Sequence, residues 1–133
     1  MPNYSALHAC FGRAQRSGQL TDRFYQRLFS ADPRIPPLFE GVDMTRQRRA
    51  LGQAIGTALS YAEGESFVTS TMARMADVHS RHGRVPVAGE FYDIWLDCWI
   101  ATLAECDPQW NPALETTWRT ALTPAIALFK AHY

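Results

Sequence analysis

Two methionines, two histidines and two arginines crowd the stretch Met72-Ala73-Arg74-Met75-Ala76-Asp77-Val78-His79-Ser80-Arg81-His82-Gly83. On a helix, three- and four-residue steps put Met72, Met75 and His79 on one side. Gly83 and then Pro86 close the segment. A neutral imidazole at the end of an apolar helical stripe has the chemistry of an axial ligand for a haem iron. The same pattern also ends an ordinary buried helix, with the histidine satisfied inside the core. At this point both readings stand.

The remaining groups with chemical potential are few. Cys10, Cys98 and Cys106 make an odd count without metal-ligand spacing. On one helix Cys98 and Cys106 would be separated by about 12 Å of rise, whereas a disulfide needs Cα atoms within about 7 Å. They cannot pair with each other, and the three read as small buried thiols in a reducing compartment. Arg46, Arg48 and Arg49 form the densest basic cluster, suited to a small anion rather than a polymer.

These groups need a scaffold, and the totals bound it. A chain of 133 residues, 47% apolar and 20% charged, fits one domain with a real core. Net charge is zero, with eight arginines against four acids over residues 1–50 and five basic groups against nine acids over 51–133. No basic stripe marks a nucleic-acid partner. The longest apolar run, Pro124 to Phe129, is too short to span a bilayer. The start Met1-Pro2-Asn3-Tyr4-Ser5 lacks the pattern of a signal peptide, so a cytoplasmic protein is expected.

Helical periodicity broken by Gly and Pro runs through the chain, and no alternating run with hairpin chemistry interrupts it. An all-α fold is expected. Asn3 caps a first helix carrying Tyr4, Leu7, Phe11 and Ala14, ended by Ser17-Gly18. A second runs from about Thr21 to Ala31, stopped by Asp32-Pro33, and Pro36-Pro37 forces a corner into Leu38-Phe39. A third, from about Thr45 to Ala62, puts Gln47, Leu51, Ala54, Ile55, Ala58 and Ala62 on one broad face.

The short helix ending at His79 follows. A fifth, from about Ala88 to Glu105, carries Phe91, Ile94, Trp95, Cys98 and Thr102, with Trp99 and Leu103 adjacent. The last opens at Asn111-Pro112 and buries Leu114, Trp118, Ala121, Leu122, Ala125 and Phe129. Pro124 inside it should bend it, since an unkinked interior proline costs about 3 kcal/mol. A long face of small residues opposite a short helix presenting a histidine makes a slot for a flat ligand.

Read in order, the chain resembles the bacterial single-domain globins over nearly its whole length. The resemblance is carried by Phe24-Tyr25-Gln26-Arg27-Leu28-Phe29, Asp32-Pro33 and Pro37-Leu38-Phe39, which are similar to the second helix and corner of these globins. Met44-Thr45-Arg46-Gln47-Arg48-Arg49-Ala50-Leu51 resembles their distal helix and Val78-His79-Ser80-Arg81 their proximal segment. Tyr92-Asp93-Ile94-Trp95-Leu96-Asp97-Cys98, Asp107-Pro108 and Thr117-Trp118-Arg119 resemble the final helix pair of one bacterial branch.

That resemblance implies a globin fold: one domain over residues 1–133, a helical sandwich enclosing one haem b (iron protoporphyrin IX). His79 would ligate the iron. Phe39 would wedge the ring at the corner. Tyr25 and Gln47 would be the polar distal pair, with Arg46 a rival to Gln47. Leu51, Ile55 and Phe29 would supply apolar distal surface, and Met75 would lie against the cofactor. His82, at the closing glycine, is better placed for a haem propionate than for the iron, as are Arg81 and Arg84; Arg48 and Arg49 are candidates at the opposite edge. Tyr92 would correspond to the tyrosine that helps hold the proximal histidine in flavohaemoglobin-like members. Their late glutamate has no counterpart after Glu115, which weakens a peroxidase-like reading. His8 and His132 read as surface residues.

The implied function is reversible binding of O2, and of NO or CO, at a five-coordinate iron, serving oxygen storage, transport or scavenging. Two alternatives use the same fold: NO dioxygenation supported by a separate reductase, and a globin-shaped gas sensor or haem-free regulatory module. No nucleic-acid or membrane partner is expected.

Overall fold

A computed structural model describes residues 3–81, 83 and 86–133. Among them are six α-helices: α1 (Tyr4–Arg16), α2 (Leu20–Ala31), α3 (Met44–Ala62), α4 (Thr69–Val78), α5 (Gly89–Cys106) and α6 (Pro112–His132). Short 3₁₀ turns at Pro36–Phe39 and Ser66–Val68 precede α3 and α4. No strand occurs among the described residues. No helix among them is long and apolar enough to cross a membrane.

Local chemistry sets the helix starts. Side-chain oxygens of Asn3, Asp43 and Asn111 accept from backbone amides of the first turns of α1, α3 and α6. Asp43 accepts from both Thr45 and Arg46, so α3 begins at Met44, one residue before the sequence-based boundary. After Ala62 the backbone turns through Gly64 at φ +85°, a left-handed conformation that favours glycine. α6 runs past Pro124 without ending. Near it the Thr123 hydroxyl donates to the Arg119 carbonyl at 2.6 Å.

α2 packs on α5, α3 and α4 pack on α6, and α1 crosses both α5 and α6. Where α1, α2, α5 and α6 meet stands Trp99, fully buried. Its ring lies 5.9 Å from Phe11, 5.7 Å from Phe24, 6.0 Å from Trp95 and 5.8 Å from Trp118. Cys10, Cys98 and Cys106 are free and buried, and Cys10 Sγ accepts from the Trp118 indole at 3.4 Å.

One ion pair closes the far end. Arg13 Nε and Nη2 donate to the Asp107 carboxylate at 2.6 and 3.0 Å, tying α1 to the turn between α5 and α6. Asp107 also accepts from the Gln109 amide at 2.9 Å, and its side chain is wholly buried. The guanidinium holds the Asp107 carboxyl down to about 2, against the opposing effect of burial. Asp107→Asn is therefore expected to lower unfolding free energy by about 1–2 kcal/mol at neutral pH. Because the folded-state carboxyl titrates below the unfolded one, that advantage is present above the ordinary carboxylate range. It fades as pH falls toward about 2. Urea titrations of both proteins at decreasing pH should show the two stabilities converging.

Candidate functional site

Between α3, α4 and the α5–α6 pair lies a cavity of about 410 Å³. From α3 it is lined by Gln47, Ala50, Leu51, Ala54, Ile55 and Ala58, so three alanines let an occupant approach that helix closely. Met72, Met75 and His79 face it from the opposite segment, the stripe read from sequence. Ala62, placed on the same α3 face by periodicity, does not line it.

At one end stand Tyr25 and Gln47. The Gln47 amide Nε2 donates to the Tyr25 hydroxyl oxygen at 3.2 Å. With that lone pair taken, the tyrosine's own proton is available to an acceptor in the cavity. Tyr25 is 5% exposed, and burial raises its pKa, partly offset by the Gln47 hydrogen bond. The phenol is thus kept as a donor at neutral pH. Arg46 is exposed and does not line the cavity, whereas Gln47 does.

Phe39 lines the cavity from the corner, its ring 5.7 Å from Tyr25 and 5.2 Å from Phe29. Phe29 itself stands behind these two rings rather than in the cavity wall, which corrects the expectation that it supplies apolar distal surface. Four residues apart on α2, Tyr25 and Phe29 share one face, and their rings pack together at 5.9 Å with Tyr25 the one that reaches the cavity.

At the other end, His79 follows the last residue of α4. Its amide donates to the Met75 carbonyl at 3.2 Å, and its carbonyl accepts from the Val87 amide at 2.9 Å. These two bonds fix the backbone on either side of the corner. A Cβ at Gly83 would collide with the carbonyls of Asp77 and Val78, so the chain can double back here only through glycine. The His79 ring meets the Phe129 ring edge-on, centroids 6.1 Å apart.

Tyr92 lines the cavity too, 5.5 Å from the same Phe129 ring. Its hydroxyl is buried without a hydrogen-bond partner among the described residues, and burial pushes its pKa up to about 12. His82 and Arg84 lie outside the described residues. Arg81 stacks over Tyr133 at 5.0 Å and Arg48 pairs with Asp22 at 3.2 Å. His8 and His132 are exposed.

Periodicity missed the contribution of α6. Leu122, Ala125 and Phe129 were visible as a buried stripe, but they and Ile126 form a cavity wall. Trp95, Leu38 and Val87 complete it. Buried spacing signals which side of a helix turns inward. It does not distinguish a packed neighbour from an open space.

The donor set decides what can be held. Among the described lining residues there is one imidazole, one phenol pair-bonded to an amide, and a second phenol lacking a partner, with no thiol or carboxylate. No group of three or more His, Cys, Asp or Glu suited to a metal ion occurs among the described residues. One imidazole does not hold a bare ion. It does fit a metal that arrives with its own in-plane donors inside a flat apolar molecule.

Comparison with known proteins bears on the fold and the family. The globin family model matches residues 22–128. The chain is 30% identical over 105 residues to a flavohemoprotein of Vibrio cholerae serotype O1, across 77% of this chain. That alignment spans only 26% of the relative's length. A crystal structure from Pseudomonas aeruginosa PAO1, of a protein described as structurally highly homologous to a human hemoglobin, superposes with a TM-score of 0.90 at 30% identity. It covers 95% of this chain and 94% of that one.

The unpartnered Tyr92 hydroxyl yields a test. In protein prepared without cofactor, Tyr92→Phe should leave thermal stability unchanged or raise it by up to about 1 kcal/mol, because a buried hydroxyl without a partner carries an uncompensated desolvation cost. A marked loss of stability in thermal melts would show that the hydroxyl is already hydrogen-bonded.

Proposed function

We propose, starting from the fact that the chain belongs to the globin family, that it holds haem b in this cavity and reversibly binds a diatomic gas there, O2 first and NO or CO as alternatives. The observation that carries the reading is the cavity's polarity. His79 stands at one end, a hydrogen-bonded Tyr25–Gln47 pair at the other, and nearly everything between is apolar. Bound haem would supply the iron that takes up the gas.

The protein's residues divide the remaining work. His79 would hold the iron through its imidazole, oriented by backbone bonds to Met75 and Val87 and by the Phe129 ring. Phe39, Leu51, Ile55 and Met75 would pack the ring faces and exclude water. Tyr25 would donate its free proton toward the gas, while Gln47 holds the hydroxyl in place. Tyr92, whose hydroxyl is otherwise unsatisfied, would turn it to a polar group of the cofactor or its ligand histidine. His82 and Arg84 are proposed at the propionate edge from sequence position. None of the three cysteines lines the cavity, so the cofactor would be held without thioether bonds. Their free, buried state fits a cytoplasmic, reducing setting.

NO dioxygenation draws support from the flavohemoprotein relative, of which this chain matches about a quarter. It would require a reductase to restore ferrous iron. Stopped-flow mixing of the oxygenated protein with NO, with and without reductant, separates turnover from carriage: one stoichiometric reaction without recovery favours the carrier.

The primary test is spectroscopic. Protein supplemented with haem should show a Soret band and a five-coordinate ferrous spectrum. His79→Ala should lose the imidazole-ligand signature and regain it with added imidazole; an unchanged spectrum would overturn the assignment. Tyr25→Phe should accelerate O2 release by about tenfold or more, the equivalent of one hydrogen bond to a partly charged acceptor. Rapid ligand-replacement kinetics would measure it.

A further inference from the structure

The geometry points to a second opening that admits gas to the cavity, with the Leu51 side chain as its gate. A cleft of about 540 Å³ lies between α1, α2 and the outer side of α3, floored by Phe11, Leu20, Leu51, Gly52 and Trp99. Leu51 lines both this cleft and the cavity, while only 5% exposed. Among the described residues, Leu51 is the one that lines both spaces.

The rest of the partition is built of aromatic rings packed on one another. Trp95 faces the cavity and Trp99 the cleft, and the two indoles are stacked at 6.0 Å with an interplanar angle of 14°. Phe24 braces both edge-on, at 5.6 and 5.7 Å. A leucine has alternative rotamers and exchanges them quickly where space allows, whereas rings held on several sides do not. Beside it, Gly52 leaves open space: a Cβ there would meet nothing within 4 Å. Leu51 follows Gln47 by one helical turn, so a molecule passing it arrives at the Tyr25–Gln47 end.

The ligand class follows from the size and polarity of the passage. A floor of leucine and aromatic rings offers nothing to an ion, whereas a small uncharged diatomic partitions readily into apolar space. Arg48 and Arg49 line the same cleft on its exposed side, where a charged guest would remain. The inference rests on the gas-binding reading above, and two measurements separate the failure of one from the failure of the other.

The first uses xenon, an apolar probe of diatomic size, on crystals of the protein with or without cofactor. A xenon atom is expected in the cleft against Leu51; cleft density absent under pressure, with xenon in the cavity alone, would overturn the route. The second follows CO recombination after laser photolysis of the haem-loaded ferrous protein. Gly52→Phe, which fills the cleft from a position with room, should slow bimolecular association severalfold with an unchanged Soret band. Leu51→Ala should speed it. Unaltered rates in both variants, with slowing instead by Val42→Trp at the cavity's other exposed edge, would assign entry elsewhere. If no Soret band forms in the wild type, the gas-binding reading itself fails, and xenon occupancy still reports whether the passage exists.

Discussion

The structure depends on the packing around Trp99. This indole touches rings from α1, α2 and α6 and stacks on a neighbour in its own helix, so four helices are located by one buried side chain. Such contacts are individually modest, about 0.5–1.5 kcal/mol beyond area burial, but they share a centre and cannot be loosened singly. One consequence is a buried indole N–H without a partner among the described residues. Trp118 avoids that cost by donating to Cys10. The Arg13–Asp107 pair then fixes the far end of the same assembly.

Because the aromatic centre sits to one side, α3 and α4 lie outside it and rest on α6. They cover the open space, and their Leu59 and Met72 side chains join the same buried core. The cavity's walls draw on both parts: Tyr25 and Trp95 come from the aromatic assembly, Ala54 and Met75 from the helices over it. The two members of the Tyr25–Gln47 pair are therefore carried on different supports. Tyr25 belongs to the aromatic assembly through Phe24 at 5.0 Å, whereas Gln47 and His79 ride on the helices that close over it. The 3.2 Å bond between Gln47 and Tyr25 is a polar link between the two parts at the cavity's edge, and the Arg48–Asp22 pair is another farther out.

The all-α class, the helix order and the Met72, Met75 and His79 stripe were legible because amphipathic period and turn residues are local properties. The globin fold was legible from ordered segments, and the family match agrees with it. Residue placement was harder. Gln47 and Arg46 are adjacent, and which of them turns inward follows from how α3 packs on α6 and α2, a non-local property. Phe29 and Phe39 both read as pocket aromatics, yet one braces the other. The α6 wall was hidden for a different reason. A helix face against a void carries the same apolar spacing as one against side chains, so Leu122, Ala125 and Phe129 could not be told from ordinary packing. The propionate edge was expected at His82 and Arg84, which lie outside the described residues, in the corner where local pattern was weakest.

The glycines of α3 are the last part of the sequence that packing leaves unexplained. Gly52 and Gly56 stand one turn apart inside a helix, where each costs about 1 kcal/mol relative to alanine. In a protein interior such a cost is usually offset by a close approach that a Cβ would forbid. Here a Cβ at either position would meet nothing within 4 Å. Ala50, Ala54 and Ala58, by contrast, face the cavity and are small where an occupant must come near. Small residues therefore occur on both sides of the helix for different reasons. Those facing inward make room for something held. At Gly52, the missing side chain keeps open the cleft that ends at Leu51, and the shared leucine turns a weak helical position into part of a passage.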